Sequence, residues 1–208
     1  MIIFDLDGTL IDSNSIWIDV DIQFLSRRSK EITPEYTEFV THAIFPTAAR
    51  FTKDYYRLDD SLEEIQAEWM ELARAAYQFH APCKPGVLEY MRLCRERGEK
   101  MALFTASVPE LGRMAVERLG FDRYLSELIF AHDLGLDKHD PASFRLAVQQ
   151  LGVSPEECTM FEDSARNCAA AKAAGLTVVG VYDRFYADCQ AQVKENSHRY
   201  IMSFEELL

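Results

Sequence analysis

Apolar positions in the second half of the chain fall in short unbroken runs: KMALF, ELIF, CTMF and LTVVGV. Between them lie stretches with helical spacing, from Pro109 to Leu119, from about Pro141 to Leu151, and an alanine-rich one from about Ser164 to Ala174. Runs this short and this apolar predict strands buried on both faces, and alternation with helices of about ten residues predicts crossover units in a parallel sheet. A further run, IIF, stands at residues 2–4 and leads directly into Asp5.

From about Asn14 to Ala81 the alternation is absent, and helix formers and aromatics dominate. In DDSLEEIQAEWMELARAAYQFH, Ser61 and Glu64 have the spacing of a capping box, and Leu62, Ile65, Trp69, Leu72 and Ala76 share one helical face. IWIDVDIQFL fits two patterns: Ile16, Ile18, Val20, Ile22 and Phe24 alternate like a strand, whereas Ile18, Ile22 and Leu25 fit a helix. Its helical surroundings favour the helix. Pro82 and Pro85-Gly86 mark a return linker. The expected fold is therefore α/β: a Rossmann-like parallel-sheet core, residues 1–13 and 84–208, carrying an inserted helical cap, residues 14–83.

Composition narrows the function. A hydrophobic fraction of 48% in 208 residues supports a true core. A net charge of −12 argues against a nucleic-acid partner, which would need phosphate neutralisation, but leaves room for a small anion in a local basic pocket. The five cysteines are odd in number and form no CxxC pair, so neither a disulfide framework nor a zinc site is indicated. No segment reaches the about 20 apolar residues of a membrane span, and none reads as a leader, so no membrane partner and a cytoplasmic location are expected.

The candidate chemistry begins at MIIFDLDGTLIDS. Residues i and i+2 of a strand point to one side, so Asp5 and Asp7 face one point beyond the strand's carboxyl end, where open parallel sheets bind ligands. Burying one carboxylate is costly and burying two asks for a cation; oxygen donors of this kind suit Mg²⁺. Taken alone, the pair also fits a strand end with solvated aspartates. Thr105 after MALF also fits an ordinary helix cap, Lys138 a surface lysine, and Glu162-Asp163 after CTMF a solvated loop.

The order of these stretches is informative. MIIFDLDGTLIDS resembles the first signature of the haloacid dehalogenase superfamily, MALFTAS the second, LDKHDPASF the third and CTMFEDSARNCAAAKAAGLTVVGV the fourth, and the insertion resembles the helical cap of subclass I. The resemblance implies a Mg²⁺-dependent phosphatase acting on a small phosphorylated metabolite. Asp5 would be the nucleophile and Asp7 the general acid and then base. Thr105 and the Ala106 N–H would hold phosphoryl oxygens, and Lys138 would hold phosphate and Asp5 together. The metal would lie among Asp5, Asp7 through its backbone carbonyl, and Asp163, with Glu162 close by or acting through water.

The cap would close over the site and exclude water. Arg50 and Lys53 are its candidate substrate cations, while Phe45, Phe51, Tyr55 and Tyr56 read as its packing. The chain departs from the family pattern at Ala106, often asparagine; at His139, often proline; and at Asn167, commonly glycine, where asparagine would tolerate a left-handed backbone. His132 and His139 read as ordinary loop residues. Two other outcomes remain at this level: a sugar-phosphate mutase of the β-phosphoglucomutase kind, and a non-catalytic binding protein on the same fold. A dehalogenase is disfavoured because those relatives lack an aspartate at the place of Asp7. A monomer or weak dimer is expected.

Overall fold

The computed structural model describes residues 1–40 and 45–208; residues 41–44 of the insertion lie outside the described residues. It divides into two compact units, Met1–Asn14 with Ala81–Leu208, and Ser15–His80.

The first unit is built on a six-stranded sheet. Its strands are β1 (Ile2–Phe4), β2 (Met101–Thr105), β3 (Leu125–Phe130), β4 (Thr159–Glu162), β5 (Thr177–Val181) and β6 (Arg199–Ile201). All neighbours pair in parallel, in the order β3-β2-β1-β4-β5-β6. The chain runs outward from β1 through β2 to β3, then crosses back to β4 on the other side of β1. Strand order therefore reverses at β1, and the carboxyl ends of β1 and β4 open the crevice where such sheets take ligands.

Every residue of β1 and β2 is buried because both sheet faces are covered. One face presents Ile3, Phe104, Ile129, Met160 and Val178 to Phe144, Ala147, Val148, Cys168 and Ala171. Alternate residues face the other way: Phe4 and Phe161 pack at a tilt with centroids 5.2 Å apart, and Phe204 stacks on Phe161 at 5.3 Å. The sequence pattern anticipated five strands. The sixth, RYI, is too short and too polar to register as an apolar run, and it forms because Val179–Val181 offers an open edge.

The second unit comprises α1 (Ile16–Ser26), α2 (Pro34–Val40), α3 (Phe45–Tyr56) and α4 (Leu62–Phe79). IWIDVDIQFL is helical, burying Ile16, Val20, Phe24 and Leu25. The capping box at α4 forms: Glu64 N–H donates to Ser61 Oγ at 3.2 Å and Ser61 N–H to Glu64 Oε2 at 2.7 Å. The buried stripe of α4 is Ile65, Trp69, Ala73 and Tyr77. It follows the i+4 row, so Leu72 and Ala76, expected on this face, lie at its half-buried margin. Phe45 packs edge-on to Trp17 and Trp69, and Tyr36, Phe51, Tyr55 and Tyr56 form one ring cluster.

The remaining helices belong to the first unit: α5 (Val87–Glu96), α6 (Pro109–Leu119), α7 (Ala131–Leu134), α8 (Pro141–Gln150), α9 (Ala165–Ala173) and α10 (Gln190–Glu195). Asn167 sits inside α9 with helical backbone, so left-handed tolerance has no part in its presence there.

Candidate active site

Asp5 is the first residue beyond β1, and its N–H still pairs with Phe161 O at 3.0 Å. Glu162 ends β4 and Asp163 follows it. Parallel pairing of β1 with β4 thus sets both acidic segments at one end of the sheet. Ligand oxygens of Asp5, Glu162 and Asp163 lie within 4.8 Å of one another, and all three residues are buried. The Asp7 carboxylate lies outside this trio and is half-buried, accepting from Ser13 Oγ at 2.6 Å.

Lys138, from the loop between α7 and α8, enters the same space and is 1% exposed. Its Nζ donates to Asp5 Oδ1 at 2.5 Å and to Glu162 Oε2 at 2.7 Å. Nothing in this polar stretch marks which of its side chains turns inward. The other Glu162 oxygen accepts the N–H groups of Asp163 at 3.2 Å and Ser164 at 3.0 Å, tying it to the entry of α9.

One ammonium does not balance three carboxylates. Burial, then Glu162, pushes the Asp5 carboxyl up to about 8, and Lys138 offsets this only in part. Burial, followed by Glu162 and Asp5, lifts Asp163 well above the usual carboxylate range. Lys138 is raised despite its burial, by Asp5 and then Glu162. Tyr186, in the loop after β5, feels the same field: burial first, then Asp163, lifts its phenol.

Thr105 ends β2, is buried, and accepts the Ser107 N–H at 3.0 Å; Ala106 beside it is exposed. His132 is exposed, but His139 is more than a loop residue, since its Nδ1 lies 2.7 Å from Asn167 Oδ1. Two departures from the family pattern thus contact each other. Arg50 is exposed on α3, whereas Lys53 donates to the Asp60 carbonyl within its own unit.

Further residues complete the surroundings. Thr9 Oγ1 donates to Asp163 Oδ1 at 3.0 Å, and Asn14 Nδ2 to Asp163 Oδ2 at 2.8 Å. Gly8, at φ 77°, makes this approach possible: a Cβ there would stand 2.1 Å from both Asn14 Nδ2 and Asp163 Oδ2. The half-buried Lys84 and the buried Asp183 form an ion pair at 2.6 Å beside them. Sequence reading missed Asn14, Lys84 and Asp183. The one available signal was GVYD, an apolar strand running into an aspartate as IIFD does.

A family model described as haloacid dehalogenase-like hydrolase matches residues 1–175. The chain belongs to this family. A phosphorylated carbohydrates phosphatase of Thermotoga maritima is 26% identical over 179 residues, covering 84% of this chain and 81% of that protein. A phosphoglycolate phosphatase of Pseudomonas putida is 29% identical, with 87% and 68% covered. Among solved structures, a family IA, variant 3 HAD hydrolase from Entamoeba histolytica aligns with a TM-score of 0.83 at 18% identity, over 100% of this chain and 94% of that one. A β-phosphoglucomutase from Clostridium difficile aligns at 0.77 and 17%, over 100% and 92%. At these identities the structures establish the shared fold.

Among the described residues the donor set suits a hard divalent cation. The carboxyl oxygens are mutually close and shielded from water, and burial first, then their mutual repulsion, raises Asp5 and Asp163, a cost that a bound cation would remove.

Proposed function

We propose that this chain is a Mg²⁺-dependent phosphatase of small phosphomonoesters, working through a phosphorylated Asp5. One observation carries the reading: three buried carboxylates converge with a buried lysine at the strand-order reversal of a parallel sheet. Relatives named as phosphatases of phosphorylated carbohydrates and of phosphoglycolate point the same way.

Mg²⁺ held by Asp5, Asp163 and the Asp7 carbonyl, with Glu162 beside them, would supply charge neutralisation and polarise the phosphoryl oxygens. The chain does the rest. An Asp5 carboxylate oxygen attacks phosphorus, a bond forms between them, and the bond from phosphorus to the ester oxygen breaks. Asp7 delivers a proton to that departing oxygen, and the alcohol leaves. Asp7, now a carboxylate, takes a proton from water as the water oxygen attacks phosphorus; the bond to Asp5 breaks and inorganic phosphate is released. Ser13 Oγ holds the Asp7 carboxylate by its 2.6 Å hydrogen bond. Lys138 keeps the Asp5 carboxylate oriented and offsets phosphoryl charge. Thr105 Oγ and the Ala106 N–H receive phosphoryl oxygens. Arg50, the exposed cation of α3, is assigned to substrate recognition; Lys53 is the weaker candidate because the Asp60 carbonyl already holds it.

The test is phosphate release from a panel of phosphorylated metabolites, with and without Mg²⁺, by the native chain and by Asp5→Asn. Activity should require the cation and vanish in the variant while its melting profile stays folded. Normal turnover by Asp5→Asn would remove the nucleophile. Conversion of a sugar 1-phosphate to the 6-phosphate without release of phosphate would make the enzyme a mutase instead.

A further inference from the structure

Behind the acidic trio lies a second polar network that the proposed chemistry does not use. Asp183, the second residue beyond β5, is 3% exposed. Its Oδ2 pairs with Lys84 Nζ at 2.6 Å, and its Oδ1 accepts the Phe185 N–H at 2.9 Å. Lys84 Nζ also donates to the Tyr182 carbonyl at 2.8 Å and to the Gly8 carbonyl. Asn14 Nδ2 donates to Asp163 Oδ2 at 2.8 Å and reaches Asp183 Oδ1 at 3.3 Å. Both Asn14 contacts are to carboxylate oxygens, so its NH₂ end must face them, with one hydrogen for each.

The network has a direction. Thr9 occupies one lone pair on Asp163 Oδ1 and Asn14 one on Oδ2, so the carboxylate plane is fixed from two sides. Its remaining lone pairs are left for the space shared with Asp5 and Glu162. Asp183 anchors Asn14, Lys84 anchors Asp183, and Lys84 also grips the Gly8 carbonyl, one peptide beyond Asp7. Partners of this kind orient ligands and commonly change metal affinity about 10–100-fold when removed.

We infer that Asn14, Asp183 and Lys84 form a positioning network that holds the Asp163 carboxylate and the Gly8 peptide in place and thereby sets the affinity of the acidic trio for a divalent cation. This rests on the reading of Asp163 as a metal ligand.

The experiment titrates the full chain, without substrate, with Mg²⁺ by calorimetry and with Mn²⁺ by electron paramagnetic resonance. The variants are Asn14→Ala, Asp183→Asn and Asp163→Asn, each also melted without metal. Asn14→Ala and Asp183→Asn should bind either cation about 10–100-fold more weakly, and the bound-Mn²⁺ spectrum should change. Asn14→Ala, at a half-buried position, should melt within a few degrees of the native chain. Asp163→Asn should lose binding almost wholly. If Asp183→Asn does not fold, Asn14→Ala decides. Native-like affinity and spectrum in Asn14→Ala, with binding lost in Asp163→Asn, would overturn the network's role and leave the metal assignment standing. Native-like affinity in Asp163→Asn, or no binding by the native chain, would overturn the metal assignment and this inference with it.

Discussion

Replacing Lys138 by methionine removes the ammonium but keeps most of the stem's volume in its buried channel beside Phe104, whose ring centre is 5.4 Å from Nζ. Two contacts go at once, to Asp5 at 2.5 Å and to Glu162 at 2.7 Å. Breaking a buried pair by deleting one partner costs about 3–5 kcal/mol, since the partner stays buried and uncompensated. For a chain of this size that is a fall in melting temperature of about 6–20 °C. The cost has a ceiling, because a stranded carboxyl can take up a proton instead. Asp5 is already raised to about 8 with Lys138 in place, and losing the cation raises it further. The penalty should therefore be smallest from pH 5 to about pH 8, where Asp5 holds its proton in both chains, and should grow as pH rises through 8 toward 9, where the native chain can ionise Asp5 and the variant cannot. Calorimetric melts of the metal-free native and Lys138→Met chains across that range measure it, with turnover followed in parallel. A penalty that is flat or shrinks as pH rises would refute the charge argument. Unchanged turnover would refute the role of Lys138.

Other outcomes follow from the same geometry. Asp21 is buried in α1, accepts Tyr36 Oη–H at 2.9 Å, and is raised by burial from 3.8 to about 7. The folded state thus binds its proton more tightly than the unfolded state, so this group costs stability as pH climbs from about 4 to 7. Asp21→Asn, which keeps the acceptor, should match the native chain near pH 4 and be more stable by up to about 4 kcal/mol at pH 8, as read from denaturant titrations; equal stability at pH 8 would contradict the assignment. Gly8→Ala adds a carbon where 2.1 Å separates it from two side-chain atoms, at a backbone angle that alanine resists. Its melting temperature and its Mg²⁺ affinity should both fall, and retention of native affinity would show that Asp163 need not stand so close.

Much of the sheet was legible because its strands are buried on both faces, so their apolar runs are unbroken. β6 escaped because an edge strand of three residues needs no apolar run to pair with β5. IWIDVDIQFL satisfied two periods, and its neighbours decided it. The trio of Asp5, Glu162 and Asp163 was readable since strand-ending acids mark themselves by contrast with what precedes them. The burial of Lys138 was not, because a polar loop gives no sign of which side chain turns inward. Asn14 and Lys84 were invisible for a related reason, since each is ordinary in its local context; Asp183 carried only the strand-ending contrast of GVYD, and it is parallel pairing from β1 through β4 to β5 that brings it to the site.

The charge count of the site imposes an order on binding. Asp5, Glu162, Asp163 and Asp183 are all at most 5% exposed, and only the ammoniums of Lys138 and Lys84 reach them, so full ionisation would leave two negative charges unmatched; burial and this crowding are why Asp5 and Asp163 hold protons so readily without a metal. A phosphate group adds up to two more. In a partly desolvated site, where charges a few ångströms apart interact with several kcal/mol, an entering anion meets that acidic crowding directly, and a divalent cation relieves it more fully than protons on Asp5 and Asp163 do. Inorganic phosphate should therefore bind weakly or not at all to the chamber in EDTA, and measurably once Mg²⁺ is supplied. Calorimetric titration of phosphate into the two preparations decides it. Equal affinity in both would mean that Lys138 alone overcomes the repulsion, and the case for a cation built on the acidic trio would fail.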